Sequence, residues 1–331
     1  MKNIFISKRQ WNTISEKHLK WYIEMVFLHY REKGFPYYPT DSDFRQTEFE
    51  KLKHYDCSTI LKDNILRQTM HGLGLAWSYF PHAWEVRCNG MLTPMEVFLD
   101  DDLFRKVIQK RIRLGDNMSD AGIRKMLKIF TGTQGVSNFR PTSACALYNK
   151  FAENGIVWDM SCGWGGRLLG FLVSKAKKYI GTDPSIYSYK GCQEIKNDFG
   201  EGRQIELYNI GSEDYLPTEE SLDFCFTSPP YFDCEHYSGE PTQSYLKFPT
   251  KEAWCNGFLK SPFQNCFCGL KKGGCMAINI ANTRTFPNLE DEVLLLAKDS
   301  GFTYFGTILY SLSALSLKLK FKTEPIFVFK K

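Results

Sequence analysis

From about Ile156 onward, short apolar runs alternate with stretches of helical periodicity. This alternation is typical of parallel βαβ units. The runs predict five parallel strands, which are Gly155–Met160, Lys178–Thr182, Gln204–Asn209, Leu222–Thr227 and Gly274–Ile280. Two further runs, Gly301–Leu312 and Glu324–Phe329, lie on either side of a short lysine-rich turn and predict a closing antiparallel hairpin. The pattern therefore predicts an α/β fold with a seven-stranded, doubly wound sheet.

Helical patterns fill the spaces between these strands and dominate the N-terminal part of the chain. The helices predicted between strands are Gly166–Ala176, Ile186–Phe199, Thr250–Leu270 and Asn288–Asp299. Earlier in the chain the predicted helices are Glu16–Lys33, Pro94–Leu114 and Ser119–Phe130, the last opened by a serine suited to a helix cap. We therefore expect a mainly helical N-terminal domain over residues 1–135 and the sheet domain over residues 136–331.

The fourth predicted strand runs directly into a rigid turn that carries polar groups. The residues of this turn are Ser228, Pro229, Pro230 and Tyr231. Prolines cannot donate to a strand ladder or continue a helix, so the chain leaves the sheet here. Open α/β sheets bind ligands at the carboxyl ends of their strands. A hydroxyl, free carbonyls and an aromatic ring at this place suit a planar base held by its exocyclic amine; a turn without chemistry is the alternative.

Three other segments also follow predicted strands. A glycine-rich run, Asp159–Arg167, opens a helix, and such a turn lets the backbone approach a ligand closely. Asp183 ends the second strand, where an acid can accept both hydroxyls of a ribose. Gly211–Asp214 follows the third strand, where polar groups could meet an adenine amine. Each segment alone could equally be structural: a tight corner, a helix cap and an ordinary helix start.

Together with the Ser-Pro-Pro-Tyr turn, these segments resemble the S-adenosylmethionine-dependent amino-methyltransferases that act on DNA. The resemblance covers roughly residues 138–331, and it includes Asn138–Thr142 before the glycine-rich run and the ending Glu324–Lys330. It implies a Rossmann-like methyltransferase sheet, S-adenosylmethionine as cofactor, and DNA as partner, either single-stranded or double-stranded with the target base flipped out. It also implies an enzyme, a site-specific DNA methyltransferase.

The resemblance assigns roles to individual residues. It implies that the methionine end of the cofactor is held by Asp159, Ser161, Gly163 and Gly165, and that its carboxylate is contacted by Arg140 and Thr142. It also implies that the ribose is bound by Asp183 and the adenine by Ser212 or Glu213. For catalysis it implies the stiff turn of Ser228, Pro229, Pro230 and Tyr231, in which Ser228 and the Pro229 carbonyl accept hydrogen bonds from the amine. Tyr231 or Phe232 would stack on the base, and Asp233 is placed with the substrate-binding residues.

Details of the motif favour N4 of cytosine over N6 of adenine as the target, because serine at the first motif position is commoner with cytosine in the family. The short spacing between the motifs leaves target recognition to residues 1–130 or to the loop Asp233–Thr250. Two alternative functions remain open: an RNA or other amine methyltransferase with the same site, and a non-catalytic DNA-binding subunit that keeps the fold. A restriction–modification system is one setting, and the sequence leaves a restriction partner and the oligomeric state open.

Charge is spread unevenly along the 331 residues. Residues 1–140 hold 22 Lys and Arg against 16 Asp and Glu, while the remainder is almost neutral. Two N-terminal helices carry the basic residues, and Arg105, Lys110 and Arg113 are predicted to contact DNA phosphates. The equally weighted alternative is a pair of solvated helix faces whose apolar stripes pack inward.

Composition excludes several other classes of protein. No apolar run approaches the roughly 20 residues that a membrane helix needs. The eleven cysteines are scattered and odd in number, and the N-terminal stretch lacks the features of a secretion signal, which predicts reduced thiols in a cytoplasmic protein. Cys266-Phe267-Cys268 is too little to indicate a metal, and no metal site is predicted.

Overall fold

The computed structural model describes residues 8–312 and 322–331. The predicted lysine-rich turn after Leu312 and the first residues of the chain fall largely outside these ranges. The helices are α1 (Lys8–Trp11), α2 (Glu16–Lys33), α3 (Ser42–Lys53), α4 (Leu73–Trp77), α5 (Pro94–Leu99), α6 (Asp101–Arg113), α7 (Asp120–Ile129), α8 (Pro141–Phe151), α9 (Gly166–Leu172), α10 (Ile186–Phe199), α11 (Ser244–Lys247), α12 (Lys251–Trp254), α13 (Ser261–Gly269) and α14 (Leu289–Asp299). No helix in this part of the chain is both long and apolar enough to cross a membrane.

The strands are distributed over most of the chain, with the longest near its end. They are β1 (Leu61–Lys62), β2 (Ile65–Leu66), β3 (Arg87–Cys88), β4 (Ile156–Asp159), β5 (Lys178–Thr182), β6 (Gln204–Tyr208), β7 (Leu222–Thr227), β8 (Glu235–His236), β9 (Leu270–Asn279), β10 (Thr303–Ser311) and β11 (Thr323–Lys330). Each of the seven predicted strands is present; β5 and β7 have the predicted bounds, and the other five have ends shifted by one to a few residues.

The chain forms two compact units. The helical unit comprises, in its described part, residues 8–38, Pro81–Ser137 and Glu235–Tyr237. The sheet unit comprises Pro39–Phe80, Asn138–Cys234 and Ser238–Lys331, of which residues 313–321 are not described. The division at Ser137 lies close to the predicted domain boundary at residue 135. However, residues 39–80, which we assigned to the N-terminal domain, belong to the sheet unit because they supply β1, β2 and α4.

In the helical unit, α2, α5, α6 and α7 bury one apolar face each in a common core. Val26, Phe104, Ile108 and Leu127 are all completely buried there. The single helix predicted over Pro94–Leu114 is two helices, because Asp100 has an extended backbone and its side chain accepts a hydrogen bond from the Leu103 amide at 2.8 Å. An aspartate that caps the second helix in this way is stable outside the helical conformation.

The sheet unit contains nine strands in the order β1-β2-β10-β11-β9-β7-β4-β5-β6. Strands β9, β7, β4, β5 and β6 are parallel, and β11 runs antiparallel between β9 and β10. The α/β fold class is therefore confirmed, but the sheet has two more strands than the seven predicted. The additional strands β1 and β2 have two residues each, too few for an alternating pattern, and they join through Asp63 and Asn64 in left-handed backbone conformations.

Helices cover the sheet much as predicted, with one irregularity. The stretch predicted as a single helix over Thr250–Leu270 consists of α12, a π-helical segment Cys255–Lys260, and α13. Pro262 explains the change of winding, because a proline inside a helix removes one amide donor and crowds the preceding turn.

The register of the central strands places four strand ends at one edge. Asp159 of β4 pairs with Phe226 of β7 on one side and with Gly181 of β5 on the other. Thr182 of β5 pairs in turn with Tyr208 of β6. Consequently the loops that follow β7, β4, β5 and β6 emerge side by side from the carboxyl edge of the sheet, which is where open α/β sheets bind ligands.

Candidate active site

Backbone hydrogen bonds tie the four loops together where they leave the sheet. The Met160 amide donates to the Phe226 carbonyl at 3.2 Å, which links the loop after β4 to the strand that carries the Ser-Pro-Pro-Tyr turn. The Cys162 amide donates to the Thr182 carbonyl at 3.0 Å, and the Asp183 amide to the Tyr208 carbonyl at 3.2 Å. The glycine-rich loop, Asp183 and the proline turn are therefore neighbours at one edge.

The glycine-rich loop turns back on itself through two glycines with left-handed backbone. Gly163 has φ +53° and Gly165 has φ +67°, conformations that L side chains rarely adopt. A Cβ on Gly165 would lie 2.5 Å from the Ile195 side chain, so this glycine lets the loop pack on α10. A Cβ on Gly163 would meet only the Ser161 carbonyl, at 3.7 Å, so the space in front of Gly163 is open to a ligand.

Asp159 lies beneath this loop and is completely buried. Its carboxylate is 2.9 Å from Arg167 Nε and accepts a hydrogen bond from the Tyr179 hydroxyl at 2.7 Å. Arg167 also donates to the Ser161 carbonyl, and the Ser161 amide donates to Asp159. The Asp159 side chain thus belongs to an internal network that fixes the loop from below, and its contact with the methionine end of a cofactor stays a prediction.

Asp183 stands at the end of β5 with 8% of its surface exposed. One carboxylate oxygen accepts from the Gly163 amide at 2.8 Å, and the other from the Ser185 amide at 3.0 Å. Burial raises the pKa of this carboxyl to about 6, although the two amide donors act in the opposite direction. Each oxygen keeps a second lone pair, so the ionised group can still accept two hydroxyl donors.

The loop after β6 presents a buried acceptor that has no partner. Ser212–Asp214 forms a 3₁₀ turn, and the Glu213 side chain is only 8% exposed. Glu213 Oε1 is 2.8 Å from Lys247 Nζ, whereas Oε2 has no hydrogen-bond partner among the described residues. The carboxylate fills the space that a Cβ on Gly211 would need. A buried oxygen without a partner is a natural place for a ligand donor.

The proline turn follows β7 as predicted and leaves two of its groups accessible. Ser228 and Pro230 are half-buried, Pro229 is buried, and Tyr231 is half-buried with its hydroxyl 3.5 Å from Glu324 Oε2. Immediately before the turn, the buried Thr227 hydroxyl has no partner among the described residues. The turn therefore offers a serine hydroxyl and a tyrosine ring at the carboxyl edge.

The two residues after the turn lie in different surroundings. Phe232 is buried, and its ring packs edge-on against Trp254 and Phe286 with centroids 5.8 and 6.3 Å apart. Phe232 thus belongs to the hydrophobic core, and the half-buried Tyr231 packs against the same core. Which of the two rings would stack on a base stays a prediction. Asp233 is exposed and accepts a hydrogen bond from the Thr285 hydroxyl at 3.0 Å, beside the turn.

Arg140 and Thr142 precede the glycine-rich loop, but they have different surroundings. Arg140 is half-buried, and its guanidinium donates to the Gln68 side chain at 3.3 Å. Thr142 is completely buried, and its hydroxyl is 2.8 Å from the Thr69 hydroxyl. Thr142 therefore joins α8 to the segment that follows β2, and its contact with a cofactor carboxylate stays a prediction.

In the helical unit, the predicted phosphate-binding residues face different surroundings. Arg105 forms two hydrogen bonds with Glu24, at 2.9 and 3.0 Å, and its guanidinium lies 3.6 Å from the centre of the Phe27 ring. Lys110 is half-buried, 3.4 Å from the Thr131 hydroxyl, and Arg113 is exposed above the Trp11 ring. Arg105 is thus committed to packing within the unit, whereas Arg113 remains accessible.

Sequence reasoning missed two residues of the loop Asp233–Thr250. Glu240 accepts hydrogen bonds from the Ser185 hydroxyl at 2.8 Å and from the Ile186 amide at 3.0 Å, at the start of α10. Lys247 contacts Glu213 and also Asp214, the latter at 2.6 Å. No motif signals such contacts, because they join segments that are tens of residues apart in the chain.

The described residues contain no disulfide. All eleven cysteines lie within the described residues, and none of them is in a disulfide. In residues 8–312 and 322–331, no group of three or more His, Cys, Asp or Glu side chains is placed to hold a metal ion. The residues of this edge offer hydrogen-bond acceptors, backbone amides and an aromatic ring.

The fold resembles solved methyltransferase structures at low sequence identity. A methyltransferase dependent on S-adenosylmethionine (SAM) from Methanosarcina mazei matches at 14% identity and TM-score 0.38, covering 56% of this chain and 96% of that one. A TehB-like SAM-dependent methyltransferase from Corynebacterium glutamicum matches at 13% and 0.40, covering 64% and 96%. A SAM-dependent O-methyltransferase from Thermotoga maritima matches at 13% and 0.39, covering 59% and 67%.

No protein-family model matches the sequence. No curated protein matches it either. At their identities and scores, the structural matches assign neither an activity nor a substrate to this chain. A function for this protein therefore has to be inferred from the carboxyl edge of its sheet.

Proposed function

We propose that this protein transfers a methyl group from S-adenosylmethionine to the exocyclic amine of a DNA base. One observation carries the proposal. The Met160 amide and the Phe226 carbonyl form a hydrogen bond of 3.2 Å, which joins the glycine-rich loop to β7, the strand that leads into the turn Ser228–Tyr231. The residues proposed to bind the adenosyl cofactor and the turn proposed to bind the amine are therefore neighbours at one edge of the sheet. Two reactants held side by side in this way react as if each were present at very high concentration.

The residues along the edge fit an adenosyl cofactor from one end to the other. Asp183 has free lone pairs for two ribose hydroxyls, and Glu213 Oε2 is a buried acceptor for an exocyclic amine. Ser161, Gly163 and Gly165 belong to the loop after β4, the strand next to β7, and we assign the methionine part of the cofactor to this loop, with Arg140 as a candidate partner of its carboxylate. When bound, this cofactor supplies an electrophilic methyl group on a positively charged sulfur.

The proline turn supplies what an aromatic amine lacks as a nucleophile. The lone pair of such an amine is delocalised into its ring. The Ser228 hydroxyl and the Pro229 carbonyl can accept hydrogen bonds from the two amine hydrogens, which favours a tetrahedral nitrogen and stabilises the positive charge that develops on it. The nitrogen–carbon bond forms as the carbon–sulfur bond breaks, the sulfur keeps the electron pair, and the nitrogen then releases a proton to water.

Tyr231 completes the substrate side of the proposed site. A base inside a duplex cannot reach the edge of the sheet, so it is flipped out or is already single-stranded. A half-buried aromatic ring next to Ser228 can stack on such a base, and base–ring stacking contributes about 1–3 kcal/mol. We favour N4 of cytosine over N6 of adenine because the motif begins with serine.

DNA is the proposed partner, and the helical unit supplies the basic surface. Lys106, Arg113 and Lys125 are exposed on α6 and α7. Such residues can contact phosphates without reading sequence. Arg105 is left out of this set, because Glu24 already holds its guanidinium.

The test is methyl transfer from isotopically labelled cofactor to DNA and, in parallel, to RNA. Digestion of the product to nucleosides and mass spectrometry then identify the methylated base. We expect N4-methylcytosine in DNA. N6-methyladenine would change the target base, labelled RNA alone would favour the RNA methyltransferase, and cofactor binding without any transfer would favour a non-catalytic subunit.

A further inference from the structure

The loop after the proline turn packs on the carboxyl edge of the sheet, against the loops after β5 and β6. We call residues 238–247 the post-motif segment. Gln243 and Ser244 in this segment are buried, and the Tyr245 hydroxyl donates to the Ser238 carbonyl at 2.9 Å, so the segment has a packed structure of its own. A segment of this kind is a fixed part of the site and not a loose connection.

The first end of the post-motif segment lies next to Asp183. Glu240 accepts hydrogen bonds from the Ser185 hydroxyl, the Ile186 amide and the Ser238 hydroxyl, at 2.8, 3.0 and 2.8 Å. Ser185 is also the residue whose amide donates to Asp183. The segment therefore begins at the side of the edge where a ribose would lie.

The other end of the segment holds Glu213. Lys247 Nζ lies 2.8 Å from Glu213 Oε1 and 2.6 Å from Asp214 Oδ2. The Asn265 side chain donates to the Ser212 and Glu213 carbonyls at 3.3 and 3.4 Å, which fixes the backbone of the same turn. Glu213 is thus held by its backbone and by one of its two oxygens, while Oε2 stays buried and unpartnered within the described residues.

We propose that Lys247 is a positioning residue that presents Glu213 Oε2 to an exocyclic amine, and that this pair makes the site select an adenine-bearing cofactor over one whose base carries a keto oxygen there. The inference rests on the proposed function, because it assumes that an adenosyl cofactor lies along this edge. Glu213 would touch the cofactor, and Lys247 would act only through Glu213.

The selectivity follows from the chemistry of a buried acceptor. A carboxylate accepts hydrogen bonds and cannot donate them. An amine at the facing position satisfies Oε2, whereas a keto oxygen would place two acceptors against each other in a site closed to water. Sites built to bond a particular donor reject analogues that lack it, because the buried group is then left unpaired.

Lys247 is needed because Glu213 and Asp214 are neighbouring acids on one turn. Without a cation between them, repulsion would turn the Glu213 carboxylate towards solvent, away from Gly211. Burial lowers the pKa of Lys247, but its hydrogen bonds with Asp214 and Glu213 outweigh this effect and the pKa is raised, so the ammonium group stays charged at neutral pH.

The experiment compares the binding of two ligands by calorimetry. S-adenosylhomocysteine carries the amine, and S-inosylhomocysteine carries a keto oxygen in its place. We expect wild-type protein to bind the first at least about tenfold more tightly, a ratio that corresponds to one well-placed hydrogen bond. Glu213→Gln should bring the two affinities to within about threefold, since an amide can offer either an oxygen or an amine.

Variants of the lysine separate positioning from a general effect of charge. Lys247→Met should reduce the ratio as Glu213→Gln does, while Lys247→Arg, which keeps the cation, should retain it. Lys272→Met is the matched control, because it removes an exposed lysine of β9 and should leave the ratio unchanged. Thermal unfolding of each variant shows that it is folded.

Two results would overturn the inference. One is wild-type protein that binds S-adenosylhomocysteine but binds the inosine analogue equally well. The other is a folded Lys247→Met variant that keeps the full wild-type ratio. Failure of wild-type protein to bind S-adenosylhomocysteine at all would instead refute the proposed function, and this inference with it.

Discussion

The helical unit and the sheet unit both carry many charged residues, but they use them differently. In the sheet unit, Asp183 and Glu213 stand at strand ends on one edge, with lone pairs left for a ligand. In the helical unit, Arg105 and the buried Arg124 bond to groups of their own unit, Arg124 donating to the Pro36 carbonyl at 2.7 Å. In a parallel sheet the strands end at one edge, so polar residues after the strands come together. The pattern of a helix fixes only which of its faces is apolar and does not fix where its charged side chains point. A long cationic side chain can then fold back over neighbouring aromatic rings.

The largest effect should come from the buried ion pair below the glycine-rich loop. Arg167→Met leaves the completely buried Asp159 carboxylate without its cation, and we expect the free energy of unfolding of the sheet unit to fall by about 3–5 kcal/mol. Denaturant unfolding measures the change. Lys178→Met is the control, since it removes a partly exposed pair with Glu206 and should cost at most about 1 kcal/mol. Equal losses of stability for the two variants would contradict the prediction that the buried Asp159–Arg167 pair matters more than the partly exposed Lys178–Glu206 pair.

The next largest effect concerns the proline turn. Ser228→Ala removes one acceptor for the amine, and we expect the rate of methyl transfer to fall by about 10²–10³-fold, as when one oxyanion-hole donor is removed. Tyr231→Ala should act mainly on KM for the nucleic acid, because stacking contributes to binding, and Tyr231→Phe should restore most of it. Binding of S-adenosylhomocysteine should remain in each variant. Wild-type rates in Ser228→Ala would contradict the role of the turn.

A smaller effect should appear in the pH dependence of cofactor binding. Burial raises the pKa of Asp183 to about 6, and the ionised carboxylate is the form that accepts two ribose hydroxyls. Affinity for S-adenosylhomocysteine should therefore be constant above about pH 7 and fall as the pH is lowered through 6, by up to about tenfold at pH 5. Asp183→Asn should bind more weakly and without this pH dependence. A flat wild-type profile between pH 5 and 7 would argue against the contact.

The smallest effects distinguish two arginines of α6. Arg105→Ala should lower the stability of the helical unit by about 0.5–1 kcal/mol, because its pair with Glu24 is partly exposed, and should leave DNA affinity nearly unchanged. Arg113→Ala should leave stability unchanged and reduce the slope of log affinity against log salt by about 1. The reverse result would mean that Arg105 leaves Glu24 when DNA binds.

Most of the sheet could be predicted because buried parallel strands leave a strong apolar signal. Leu222–Thr227 was predicted with the bounds that β7 has, and the prolines after it mark its end. Strands β1 and β2 could not be predicted, since two-residue strands carry no period and depend on the pairing of β2 with β10. The break between α5 and α6 was missed because Asp100 follows an apolar stretch that suits either one helix or two.

The candidate site was predictable in part for the same reason. Gly163, Asp183, Glu213 and Ser228 follow strands in sequence, and parallel strands bring their ends to one edge. The neighbours of each side chain were not predictable. Asp159 lies two residues before the half-buried Ser161, and Phe232 lies between the half-buried Tyr231 and the exposed Asp233, yet Asp159 and Phe232 are both buried. Lys247 carries no signal at all, because its partners lie more than thirty residues away.

The sequence by itself determined the order of strands and helices, the turn that ends β7 and the glycines that bend the loop after β4, because backbone propensity and apolar periodicity are local properties. Only the tertiary structure decided which charged side chains are paired within the protein and which remain accessible to a ligand. Arg167 and Lys247 became partners of Asp159 and Glu213 through folding, and the cost of burying a charge without a counterion makes such partnerships a property of the whole fold.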